Sequence, residues 1–127
     1  MTQSDSIDRF PQHRLDAYRV ALRLFAGVEE LARSFPRGYA DLKDQLRRAA
    51  GATVLNIAEG ANRIHHRDKA ARFAIARAEC AECDAALQLV EMVRIAAPCQ
   101  VLRLRRRSDR VGAMLVGLIR REQALAG

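Results

Sequence analysis

Two cysteines lie at the spacing used by thiol redox enzymes and zinc sites. Cys80 and Cys83 form a C-x-x-C motif, which is redox-active when it follows a strand in a β–α–β unit and binds zinc when two further ligands complete a tetrahedron. Here the motif lies in the middle of a helical pattern, and no second cysteine pair accompanies it. His65 and His66 could contribute only if their loop folded back toward the cysteines. We therefore expect Cys80 and Cys83 to pack in the core, and we predict no metal and no cofactor.

Carboxylates are the second set of residues that could do chemistry. Glu59 and Glu82 could converge between neighbouring helices, but carboxylate-bridged metal sites in helical bundles use Glu-x-x-His pairs, and neither glutamate has a histidine three residues later. The chain also contains no Gly-rich phosphate loop, no HExxH motif and no Ser-His-Asp set. We therefore predict no catalytic residues and a protein that is not an enzyme.

Several polar residues flank an apolar stripe in the second predicted helix. Gln45, Arg48, Asn56 and Glu59 follow one another at steps of three, eight and three residues. Polar groups at the edge of a packing surface must find partners. We therefore expect these residues, together with Glu82, to form structural bonds to another helix or to a second subunit, and a ligand-binding role is the alternative.

Arginines concentrate in the last quarter of the chain. The formal net charge is +7, and residues 99–127 carry seven arginines against Asp109 and Glu122, whereas the earlier segments are close to neutral. Steps of three and four residues place four of these arginines on one helical face: Arg103, Arg106, Arg107 and Arg110. The guanidinium group can donate two hydrogen bonds to a phosphate at once. This face therefore predicts binding to RNA or DNA.

Composition limits the kind of nucleic-acid binding and leaves two alternatives open. Only 5% of the residues are aromatic and Trp is absent, so base stacking on single strands is poorly supported and a duplex or a structured RNA fits better. The same arginines could instead dock an acidic or polymerase-like protein. They could also be an ordinary solvated surface, because charge without a motif is weak evidence of function.

The elements that must position these residues are helices. Apolar residues recur at steps of three and four, and prolines stand only at positions 11, 36 and 98. We predict four helices, over residues 13–34, 39–62, 68–97 and 100–125. Short connections between them favour an all-α, up-down-up-down four-helix bundle in one domain spanning 1–127, with 1–11 a flexible N-terminal segment. The apolar face of the first helix is wide enough to suggest a subunit interface.

Length and cysteine content restrict the location of the protein. The chain has 127 residues, enough for one core. Its odd number of cysteines and the lack of an export signal at the N-terminus predict a reducing compartment, the cytoplasm. No stretch approaches the roughly 18 apolar residues that a membrane span requires, so we expect no membrane partner.

Two segments of the second predicted helix carry a resemblance to a known family. Gln45-Leu46-Arg47-Arg48-Ala49-Ala50 and Asn56-Ile57-Ala58-Glu59-Gly60 are similar to the helix signature of the four-helix-bundle proteins encoded by intervening sequences in bacterial large-subunit ribosomal RNA genes. Leu15 to Ala21 and the Phe35-Pro36 pair match as well. The family commonly has a proline where this chain has Val54, which predicts a straighter second helix here.

The resemblance covers about residues 10–95 and implies more than the residues alone do. It implies a cytosolic four-helix bundle that assembles into a ring, a homopentamer, without an established enzymatic activity. A related branch, the accessory proteins of diversity-generating retroelements, shares the fold and the ring and binds nucleic acid together with a reverse transcriptase. Fold does not fix function, and a place inside an RNA gene does not demonstrate RNA binding.

Overall fold

The chain folds into four helices, as the apolar periodicity predicted. The computed structural model describes residues 7–127, and no strand occurs among them. The helices are α1 (Asp16–Ala32), α2 (Ala40–Asn62), α3 (His66–Val93) and α4 (Pro98–Leu125). The helix α2 runs without interruption through Val54, in line with the absence of a proline at that position.

The segment before α1 is only partly covered by the structure. The predicted flexible segment 1–11 includes residues 1–6, which lie outside the described residues. Residues 7–10 are exposed. A short 3-10 helix, Pro11–Arg14, follows and contacts α2, where Oε1 of Gln12 accepts a hydrogen bond of 2.6 Å from Nδ2 of Asn62.

Each helix packs against two others, which gives the up-down-up-down arrangement. Contacts join α1 to α2, α2 to α3, α3 to α4, and α4 back to α1. The largest fully buried side chains come from all four helices, among them Leu24, Leu46, Phe73 and Leu115. Many small buried alanines let the helices approach closely. Between residues 7 and 127, no helix combines the length and apolar character needed to cross a membrane.

The connection between α3 and α4 differs from the prediction. The helix α3 ends at Val93, four residues earlier than expected, because Arg94 adopts a left-handed conformation with a φ of 58°. Pro98 does not end α3 but starts α4, where its missing N–H costs nothing because the first helical N–H groups have no partner inside the helix.

The start of α3 also differs. The helix begins at His66 rather than Asp68, which places Asp68 in its first turn. His66 therefore does not lie in a solvated loop. Its Nδ1 lies 2.6 Å from Oε1 of Glu122, a carboxylate that is only 7% exposed near the end of α4. This contact joins the first turn of α3 to the last turns of α4.

The wide apolar face of α1 is used within the chain. Ala17, Leu24 and Leu31 are fully buried in the bundle, and Tyr18 and Phe25 pack partly against the same core. Leu22 of the same face is 41% exposed, so part of the face stays at the surface, and the predicted subunit interface on α1 remains a prediction. The larger exposed apolar side chains lie mainly on other elements, with Leu89 and Met92 on α3 and Leu55 on α2.

Candidate nucleic-acid interface

The two sides of α4 differ in character. Its apolar side faces the core with Val101, Leu104, Val111 and Leu115. Because an α-helix has 3.6 residues per turn, residues one or two positions away from these point toward solvent. The arginines of the basic run occupy those positions, so packing of the apolar side fixes the direction of the charged side.

The structure brings the four predicted arginines together. Arg103, Arg106 and Arg110 are exposed, and Arg107 is half-buried. All four line one surface hollow with a volume of 440 Å³, together with Cys99 and Leu102. We call this surface, formed by Arg103, Arg106, Arg107 and Arg110, the arginine face.

The acids of the described chain do not neutralise the arginine face. Among residues 7–127, no carboxylate forms an ion pair with any of its four guanidinium groups. Arg107 is the one with an internal partner, because its Nη1 donates to the backbone oxygen of Arg23 on α1 at 3.4 Å. Within residues 7–127, the other three guanidinium groups form no hydrogen bond or ion pair, which leaves them available to an anion from solution.

Arg105 belongs to the same run but has a different environment. Its Nε donates to Oδ1 of Asp84 at 3.0 Å, and its Nη1 donates to Oε1 of Glu91 at 3.2 Å. Both acids are on α3, so Arg105 holds α3 and α4 together. Its charge is balanced locally, which separates it from the arginine face.

A second, larger hollow runs beside the first, between α3 and α4. It has a volume of 680 Å³ and shares Leu102 and Arg106 with the arginine face. Its lining mixes cations such as Arg77 with the acids Asp84 and Asp109. Because the two signs nearly balance, this hollow is less suited to a polyanion than the arginine face.

The polar residues predicted to make structural bonds have different surroundings. Oε2 of Glu59 accepts a hydrogen bond from Arg63 and lies 3.3 Å from Nε of Arg72 on α3. The hydrogen bond from Arg63 holds the pKa of Glu59 below its usual value. Nδ2 of Asn56 donates to the oxygen of Ala52 in its own helix at 2.9 Å.

The remaining three polar residues have no partner among residues 7–127. Gln45 and Arg48 are exposed on α2, and Glu82 is half-buried on α3. Within the part of the chain that the structure describes, none of the three side chains forms a hydrogen bond or an ion pair. The bonds predicted for these three residues are therefore not made among residues 7–127.

The cysteines of the C-x-x-C motif lie in the core, as predicted. Cys80 and Cys83 are buried, whereas Cys99 is exposed. Burial raises the pKa of Cys80 to about 11 and that of Cys83 to about 12, so both stay protonated at neutral pH. Residues 7–127 contain no group of three or more His, Cys, Asp or Glu side chains placed to hold a metal ion.

Sequence reasoning missed the residues that join α3 to α4. Ser108 is buried, and its hydroxyl lies 3.1 Å from Oδ1 of Asp84 and 2.8 Å from the oxygen of Arg105. The signal was present in the sequence, because Ser108 interrupts the apolar stripe of α4 and a buried hydroxyl needs a partner. The identity of that partner depends on how α3 and α4 are aligned.

Comparison with known proteins agrees with this architecture. Residues 13–117 match the sequence model of a family described as 23S rRNA-intervening sequence protein. Among solved structures, the fold is similar to that of a protein of unknown function from the S23 ribosomal protein family of Bacteroides thetaiotaomicron VPI-5482. The TM-score is 0.73 at 16% identity, over 81% of this chain and 97% of that chain. No curated protein matches.

Proposed function

The chain belongs to the 23S rRNA-intervening sequence protein family, and on that premise we propose that it is a non-enzymatic, homo-oligomeric scaffold that binds nucleic acid through α4. The assembly is a pentameric ring in the cytoplasm, and the binding is weak and largely independent of sequence. The observation that carries this proposal is the arginine face, whose three exposed guanidinium groups have no carboxylate partner among residues 7–127.

The chemistry of the arginine face fits phosphates better than bases. Guanidinium groups bind phosphate oxygens, and neutralised phosphates release their counterions, which makes the affinity fall steeply with salt. The hollow contains no aromatic side chain, so it offers no stacking platform for unpaired bases. A ring would repeat the face in every subunit, and the phosphate contacts of the subunits would add.

A second candidate function is the docking of an acidic or polymerase-like protein. It is favoured by Leu102, which is 47% exposed and lies in the same hollow as the arginines. Protein interfaces commonly combine apolar side chains with arginine, whereas phosphate binding needs only the charge. In this alternative the ring would not contact nucleic acid itself.

A salt titration with matched arginine variants tests the proposal. The binding variant carries Arg103→Gln, Arg106→Gln and Arg110→Gln. The control carries Arg14→Gln, Arg33→Gln and Arg37→Gln, which removes the same charge from three exposed arginines outside α4. Affinity for fluorescent duplex DNA and for a structured RNA is measured by anisotropy between roughly 50 and 300 mM salt, a range over which screening of charges increases strongly.

We expect the binding variant to lose tenfold or more in affinity, and the control to lose much less. The slope of log affinity against log salt should also become shallower, by roughly 0.9 for each lost phosphate contact. No detectable binding of the wild-type protein at low salt would refute the proposal and favour the protein-docking alternative. Equal losses in the two variants would show that only net charge matters.

A further inference from the structure

The side of α3 that faces away from the core carries a continuous row of mostly apolar residues. These positions follow alternating steps of three and four residues, the spacing of a helix-packing seam. Leu89 is 53% exposed and Met92 is 73% exposed. The members of the row are Ile75, Ala78, Glu82, Ala85, Leu89 and Met92. Helical geometry places the row roughly 160° from the buried side of α3, so no other helix among residues 7–127 covers it.

A second, more polar row lies on the outward side of α2. It follows the same alternating spacing, through Gln45, Arg48, Ala52, Leu55 and Glu59. Leu55 is 70% exposed, although leucine is usually buried. The ion pair between Glu59 and Arg72 of α3 lies at the end of this row, and it places the two rows next to each other.

Together the two rows form one surface, which we call the α2–α3 face. It consists of Arg48, Ala52, Leu55, Ile75, Ala78, Glu82, Ala85, Leu89 and Met92. A contiguous apolar surface of this kind, with a few polar residues, marks an interaction site on a soluble protein. Nucleic acid does not suit it, because a carboxylate lies in the middle of an otherwise apolar row.

The two charges on the α2–α3 face identify the occupant. Arg48 and Glu82 have opposite signs, each lies in a row that also exposes apolar side chains, and neither has an ion-pair partner between residues 7 and 127. Two α3 rows packed directly against each other would bring their Glu82 carboxylates close together near the midpoint of the contact, and like charges there are unfavourable. Packing that brings an arginine from another copy to Glu82 removes this conflict.

We propose that a second copy of this chain docks on the α2–α3 face and that Arg48 of one copy pairs with Glu82 of the other. This inference rests on the homo-oligomeric scaffold of the proposed function and names the contact between its subunits. The contact is head-to-tail, with the α2 row of one copy against the α3 row of the next, so each copy supplies one charge of each sign and a ring can close. The arginine face stays accessible, since α4 packs on a different side of α3, the side that carries Asp84.

Charge reversal and its compensation test this contact. The variants are Arg48→Glu, Glu82→Arg and the double variant with both changes. The controls are Arg33→Glu and Glu30→Arg, which make the same charge changes at exposed positions at the end of α1, outside the face. Oligomeric mass is measured by size exclusion with light scattering over a dilution series, against a subunit mass of 14.2 kDa. Circular dichroism confirms folding.

We expect each single reversal to weaken association at least tenfold and the double variant to recover most of it, while both controls assemble like the wild type. If a reversed chain fails to fold, Arg48→Gln and Glu82→Gln replace it, with a several-fold weakening expected. A wild-type oligomer whose mass resists both single reversals, or a double variant that does not recover, overturns the inference but leaves the scaffold proposal standing. A wild-type protein that is monomeric at all concentrations overturns both.

Discussion

At the scale of single residues, Arg105 of α4 differs from the arginines of the arginine face because neighbouring acids bind it. Arg105 is bound by Asp84 and Glu91, and the Ser108 hydroxyl is within hydrogen-bonding distance of the same Asp84. Sγ of Cys80 donates to the backbone oxygen of Ser108 at 3.2 Å. This polar cluster satisfies a buried hydroxyl and a thiol at the α3–α4 interface. It also removes Arg105 from the set of cations that could bind a phosphate.

The cysteines provide a residue-scale prediction. At pH 8, iodoacetamide should modify one thiol of the folded chain rapidly, that of exposed Cys99, because only thiolates react and burial raises the pKa of Cys80 to about 11 and of Cys83 to about 12. Mass spectrometry of the intact protein counts the adducts. All three thiols should react in denaturant, and Cys99→Ser should leave the folded chain unmodified.

The same raised pKa values predict how the free energy of unfolding changes with pH. An unfolded thiol ionises near 9.0, whereas the buried thiols remain protonated to a higher pH. Their contribution to the free energy of unfolding is therefore complete below about pH 9 and is lost as the pH rises through 11 to 12. Rapid labelling of two or three thiols in the native protein at pH 8 would contradict the burial of Cys80 and Cys83.

At the scale of the helices, two glycines lie where another helix approaches closely, and a third lies in open space. A Cβ at Gly60 of α2 would lie 2.8 Å from ring atoms of Phe73, and a Cβ at Gly27 of α1 would lie 2.4 Å from Cδ2 of Leu104. In contrast, a Cβ at Gly112 of α4 would meet nothing within 4 Å. The first two positions set how closely α2 approaches α3 and how closely α1 approaches α4.

This difference predicts opposite effects for the same substitution. Gly60→Ala should lower the free energy of unfolding by about 1–3 kcal/mol, because the buried Phe73 ring has to move. Gly112→Ala should raise it by about 0.5–1 kcal/mol, because alanine loses less backbone entropy in a helix. Urea unfolding followed by circular dichroism measures both. A neutral Gly60→Ala would show that the α2–α3 interface can adjust without cost.

At the scale of the whole molecule, charge and apolar surface are separated. The arginine face lies on α4, the α2–α3 face lies on another side of the bundle, and the core between them joins both. His66 and Glu122 hold the first turn of α3 to the end of α4. A molecule organised in this way can associate through one side and present cations on the other. The two proposed interactions therefore differ in their physical basis.

Their different physical basis predicts different responses to salt. Raising salt from about 0.05 to 0.5 M should leave the oligomeric mass unchanged, because an apolar contact is not screened and an ion pair enclosed within it is screened little. The affinity for duplex DNA should fall by about a hundredfold or more over the same range. Light scattering and anisotropy on one sample measure the two together. Dissociation in parallel with the loss of DNA binding would point to a single electrostatic interface instead.

The sequence by itself determined the helices, their approximate bounds and the contents of each face. Periodicity is a local property of the chain, so steps of three and four residues were enough to predict a four-helix bundle, a buried C-x-x-C motif and an arginine face. The helix ends were less accurate, because the end of α3 depends on a left-handed Arg94 and Pro98 could equally end one helix or begin the next.

Only the tertiary structure decided which residues meet across helices. The partners of Arg105, Ser108 and Glu122 depend on the rotation and axial offset of α3 against α4, and packing of the whole core determines both. The same holds for the apolar surface that remains. Most of the apolar face of α1 is covered inside the bundle, whereas the outward row of α3 is left exposed, because only three-dimensional packing determines which apolar residues the rest of the chain can cover.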